Sequence, residues 1–197
     1  FFRKMKILHF LSLALLVVFS SAGQLGMGFY PLDKFGNILK VGGAQPSAFY
    51  VVMMAYGSSL QAGDTISFAA TTNLFNVPSA YYNIMVSVSS GIGSNCMLSF
   101  TGGTTTTMTW TLGLYNGACD LQAYNQFYFI IPQAFAQVNP KAGYQYVYAS
   151  ATGTSQTSNG IQYSAYAAIY ATADPRNSDD SDSELTGGKQ PSFMNIG

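Results

Sequence analysis

Between residues 47 and 172 the chain alternates apolar and polar positions in short runs, cut by Gly, Pro, Asn and Ser. A period of two is the spacing of a strand with one buried face. Ser47–Tyr56 is almost wholly apolar and predicts a central strand. In Thr65–Thr71, Ile66 and Phe68 share a face; in Tyr82–Ser89, Ile84, Val86 and Val88 do. Cys96, Leu98 and Phe100 point inward in the next run. In Thr104–Leu112, Met108, Trp110 and Leu112 face the core, and Thr105, Thr107, Thr109 and Thr111 face away from it. Gln126–Ile131, ended by Pro132, then Tyr144–Thr152 and Ile161–Thr172 complete the set. Turn signals separate these runs at Gly57–Gly63, Asn76-Val77-Pro78, Gly91–Ser94, Gly102-Gly103, Asn116-Gly117 and Pro140–Gly143. Gln133–Val138 predicts a helical turn, and no long amphipathic helix follows residue 23.

Roughly nine short strands at regular spacing predict a sandwich or small barrel. The expected fold is therefore all-β, a single β-sandwich of jelly-roll or immunoglobulin-like type over residues 41–172. Residues 24–40 are expected to form an N-terminal extension ahead of it.

The two ends have different compositions. Residues 1–23 place Arg3, Lys4 and Lys6 before an apolar stretch from Ile7 to Val18, followed by small residues. This is the layout of a secretory signal peptide, with Met5 a candidate initiator and cleavage expected after Ala22 or Gly23. The alternative is a retained hydrophobic anchor helix, although Ile7–Ala22 is short against the ~20 apolar residues a span needs. Residues 173–197 are acidic and rich in Ser, Gly and Pro, the composition of a disordered tail.

Charge changes the picture most. Only 8% of the 197 residues are charged, against about 25% in an average soluble domain. The formal net charge is zero, yet the charges lie at the ends: residues 41–170 hold only Asp64, Asp120 and Lys141. The chain carries 14 Tyr and 14 Phe, which excludes disorder for the middle. Without a basic face it is no nucleic-acid binder. A membrane role is expected only if the N-terminal segment is retained.

Candidate chemistry is sparse. His9 is the only histidine and lies in the leader; the only Glu, Glu184, lies in the tail. That removes Ser-His-Asp and Cys-His arrangements, and leaves Asp64 and Asp120 as turn and strand-edge residues. No enzyme, cofactor or metal is expected. Cys96 and Cys119 are an even pair in a chain read as secreted, so a disulfide is expected.

The outward positions are Ser, Thr, Gln, Asn and Tyr in place of Lys and Glu. Exposed strands normally carry charge against unwanted pairing. A surface without it is built to be covered. The sequence therefore reads as a secreted extracellular structural protein, a self-assembling subunit of a filament, coat or matrix. Leu25, Met27 and Phe29 alternate with glycines, which suits strand donation from residues 24–30; the competing reading pairs this segment in its own sheet. The alternative function is an adhesin or carbohydrate-binding module. Tyr144, Tyr146 and Tyr148 are then the candidate ligand contacts, with a glycan or matrix partner.

Overall fold

The structure is a computed structural model and describes residues 23–40, 44–89, 95–137, 142–153 and 162–172. The expected leader (bar Gly23) and the expected acidic tail lie outside these residues. The strands in chain order are β1 (Gly23–Leu32), β2 (Ala48–Tyr56), β3 (Leu60–Gln61), β4 (Thr65–Ala70), β5 (Asn83–Met85) and β6 (Ser87–Val88). They continue with β7 (Cys96–Gly103), β8 (Thr107–Leu114), β9 (Asp120–Leu121), β10 (Gln126–Pro132), β11 (Gly143–Thr152) and β12 (Gln162–Ala171). Among the described residues the only helical element is a 3-10 turn at Gln133–Phe135, inside the segment predicted to turn.

The fold is all-β, one large sheet wrapped into a near-barrel sandwich. Its order is β5-β7-β8-β4-β11-β12-β1-β2-β10-β6, and β3 and β9 form a separate pair. The two ends of that order, β5 and β6, are separated in sequence by Val86 alone. One short segment therefore pairs with β7 through β5 and with β10 through β6, and this closes the sheet. The predicted continuous strand at 82–89 is broken here because Val86 turns into the core between its two partners.

Residues 24–40 are not separate from the domain. β1 lies in the middle of the order, with a nine-residue antiparallel ladder to β2, from Gln24↔Tyr56 to Leu32↔Ala48. On its other side it meets β12 in parallel, with ladder pairs at Gly23↔Tyr163 and Gln24↔Ser164. The 33–37 turn then reverses the chain, and the Leu39 N–H donates to the Pro31 carbonyl.

Alternation gives the sheet a dry inside. Phe49, Val51, Met53 and Ala55 of β2 are buried, as are Phe127, Phe129 and Ile131 of β10. Val147, Ala149 and Ala151 of β11 join them. Aromatic rings fill the centre: Phe29 packs on Phe49 at 5.0 Å and on Phe68 at 5.7 Å between centroids. Trp110 is wholly buried against Phe100 and Phe135, at 5.2 and 4.9 Å. Offset and edge contacts of this kind add to area burial. The strand predicted from Thr104 begins instead at Thr107, because the Thr104 hydroxyl accepts the N–H groups of Thr106 and Thr107 and holds a turn. Gly102 and Gly103, predicted as a turn, are instead the bulged end of β7.

Candidate functional site

Among the described residues, Asp120, in the two-residue β9, is the one charged residue in a strand. The outer faces of the sheet are therefore uncharged, and they divide by residue type. Across β8 and β4 the outward residues are small and hydroxylated: Thr107, Thr109 and Thr111 beside Ser67 and Thr65. Ser67 and Thr109 share a hydrogen bond of 3.1 Å. Thr105, predicted in the same row, sits in the turn before β8.

Across β11, β12, β1, β2 and β10 the outward face is aromatic. The β11–β12 register sets Tyr144 opposite Tyr170, Tyr146 opposite Ala168, and Tyr148 opposite Tyr166. All five tyrosines are exposed. Further across, Tyr30 of β1 stands opposite Tyr50 of β2, with ring centroids 6.3 Å apart, and Tyr128 of β10 lies 6.0 Å beyond Tyr50. Between these groups β1 offers Gly26 and Gly28, whose missing side chains leave room for neighbouring rings. A Cβ on Gly28 would come within 2.7 Å of the Tyr30 ring, and one on Gly26 within 3.3 Å of the Tyr56 hydroxyl. Here the bare glycines let tyrosines lie down on the sheet.

The structure places the expected site residues differently from one another. Tyr144, Tyr146 and Tyr148 stand together and outward, as their i, i+2, i+4 spacing predicts. Sequence reasoning did not add Tyr166 and Tyr170 to them, although the same spacing rule puts both on one face of β12. Leu25 and Phe29 are buried in the chain's own core and Met27 packs against it, so residues 24–30 complete their own sheet. Donation of this segment to a neighbour would thus be an exchange of β1. Cys96 and Cys119 form a disulfide that ties β7 to the approach to β9. Trp110, at the centre of the core, is out of reach of any ligand.

Asp64 and Asp120 each border Gln61 of the β3–β9 pair. Asp64 is fully buried, and its Oδ2 accepts the Gln61 N–H at 2.8 Å, the local backbone bond expected of an Asp in a turn. Gln61 in turn pairs with Asp120, which is exposed. Among the described residues no three His, Cys, Asp or Glu side chains gather as a metal site would require. No helix among them is long and apolar enough to cross a membrane.

Two titratable groups are displaced from their ordinary range. Burial raises the Tyr50 phenol, and the neighbouring phenols of Tyr128 and Tyr30 raise it further. At Asp33, slight burial pushes upward but is outweighed by hydrogen bonds from the Asn37, Phe35 and Gly36 backbone and the Asn37 side chain, which lower it.

No family model matches the chain, and no curated protein matches it significantly. Solved structures resemble it at a distance. A bacterial hydrophobin, BslA, matches at TM-score 0.41 and 11% identity, covering 78% of this chain and 95% of its own. A cohesin module from a Clostridium perfringens family 33 glycoside hydrolase matches at TM-score 0.43 and 7% identity, covering 78% and 98%. AggA, the major subunit of aggregative adherence fimbriae type I from Escherichia coli, matches at 0.28 and 11%, covering 76% and 95%. At this distance the roles of those proteins do not transfer to this chain.

Proposed function

We propose that the chain is a secreted extracellular structural protein whose copies assemble through the tyrosine face. The carrying observation is the five-strand outer face of β11, β12, β1, β2 and β10, which holds no charged residue and presents a field of tyrosines. Five strands at a spacing of about 4.8 Å, each about 30 Å long, offer about 700 Å² in plan. That is close to the ~800 Å² per partner of a stable interface. Tyrosine suits such a role because its ring buries apolar area while its hydroxyl keeps a polar contact. The disulfide fits an oxidising compartment, in line with the basic-then-apolar leader. This reading has no catalytic step.

Electron microscopy and sedimentation of the purified chain without residues 1–23 test it. The expected result is filaments or sheets that form as concentration rises. Ala168 is exposed between Tyr166 and Tyr170 and faces Tyr146. Ala168→Lys should block assembly while circular dichroism and melting stay as before, because the new charge enters the face and not the core. Assembly unchanged by this lysine would refute the role of the face.

A second reading, a carbohydrate-binding module, draws on the same exposed rings of Tyr144, Tyr146 and Tyr148. A protein that stays monodisperse at high concentration and binds on a glycan array would favour it.

A further inference from the structure

We propose that Tyr144 and Tyr170 are a site of oxidative phenol coupling, a covalent tie between β11 and β12 made by a haem peroxidase using hydrogen peroxide. The two residues stand directly opposite in the antiparallel ladder. Their ring centroids are 4.9 Å apart with planes at 49°, the closest approach of any two tyrosine rings among the described residues. They are also open to solvent, at 69% and 54% exposure, so an oxidising enzyme can reach both phenols. Among the described residues the next exposed pair, Tyr56 and Tyr124, is more than 1 Å wider at 6.0 Å, and Tyr56 is only 38% exposed. Tyr148 and Tyr166 are 6.4 Å apart, and Tyr30 and Tyr50 are 6.3 Å apart with Tyr50 half-buried. Tyr81 and Tyr115 are exposed, at 85% and 63%, but neither is in a ring pair among the described residues.

The chemistry balances within the pair and its oxidant. Each phenol gives one electron and one proton to the peroxidase system and becomes a phenoxyl radical. The radicals join through the ring carbons ortho to oxygen, forming one C–C bond. The two displaced ortho hydrogens move to the oxygens and restore both phenols. Hydrogen peroxide accepts the two electrons and two protons and leaves as two waters. The chain ends lighter by two hydrogen atoms. Holding two reacting groups side by side replaces a bimolecular encounter with an intramolecular one, which can raise the effective concentration by several orders of magnitude. Rotation of each ring about its Cβ–Cγ bond, a soft torsion, is the movement that brings the ortho edges together.

The inference goes beyond the assembly reading and does not rest on it, because the pair lies within one chain. Its test uses the full chain in dilute solution, treated with horseradish-type peroxidase and hydrogen peroxide. Dityrosine fluorescence is followed, and proteolytic fragments are weighed. The expected main product joins the peptides of Tyr144 and Tyr170 within one molecule, with two hydrogens lost. Tyr144→Phe and Tyr170→Phe should each lower the dityrosine yield severalfold. Each removes only an exposed hydroxyl, so an unchanged melting curve confirms that the fold is kept. Coupling spread over Tyr81 and Tyr115, a majority of intermolecular product, or an undiminished yield in Tyr170→Phe would each overturn the proposal.

Discussion

Tyr50 is held between Tyr30 and Tyr128 on a half-buried stretch of β2, and burial first, then its two phenol neighbours, raises its pKa. A folded pKa above the unfolded value means the folded state favours the neutral phenol. That stability is complete below the ordinary tyrosine value of about 10 and is lost as pH rises through the folded value. Tyr50→Phe should therefore flatten the alkaline limb of a melting-temperature profile and leave the neutral region nearly unchanged. At Gly103 a Cβ would strike the Thr107 carbonyl, which is backbone and cannot swing aside. Gly103→Ala should destabilise by about 1–3 kcal/mol, the usual cost of overpacking, read by chemical denaturation. The disulfide spans 23 residues. Replacing Cys96 and Cys119 together by Ser should lower stability by about 3 kcal/mol on the chain-entropy account.

Elements differ in how well they could be read. The alternation in β4 and β8 matches the burial of those strands, because a two-residue period with one wet face is a strong signal, whereas β2 was legible as an almost wholly apolar run. The disulfide was legible too, from an even cysteine count beside predicted strands. Neighbour order was not legible. β1 lies against β12, the strand farthest from it in sequence, and no local pattern encodes a contact of that range. The tyrosine face was half legible for the same reason: β11 shows its row, but only pairing reveals that β12 continues it. The placement of β1 carries a prediction. Phe29 is buried among Phe49, Phe68 and Phe75, so Phe29→Ala should cost about 3–5 kcal/mol. A merely appended segment would lose almost nothing. The turn after β1 depends on Asp33, whose Oδ1 accepts the Phe35 and Asn37 N–H groups at 2.8 and 2.9 Å. Its lowered pKa means this small contribution is present above the ordinary carboxylate range and fades as pH falls through the folded value.

For the whole molecule, the described residues hold three carboxylates, Asp33, Asp64 and Asp120, and no histidine. Acid unfolding works mainly by protonating carboxylates that are paired in the native state. Melting temperature should therefore stay within about 2–4 °C between neutral pH and roughly pH 3, and be nearly independent of salt. A larger loss would point to Asp64, the buried member of the three. Closure of the sheet bears on assembly as well. The strands at the two ends of the order are three and two residues long, so the molecule offers little edge for strand-by-strand addition. Under the assembly reading, growth would proceed through faces.

The parallel placement of β1 beside β12 also has a mechanical consequence. β1 enters the sheet at Gly23, next to the start of β12, and β12 leaves it at the opposite end, at Ala171. Tension applied between those two points runs along the strands. It must slide β1 past its nine-residue ladder with β2, or β12 past its ten-residue ladder with β11, breaking many hydrogen bonds at once. A molecule pulled in this way is loaded in shear, the direction in which a β-sheet is hardest to open.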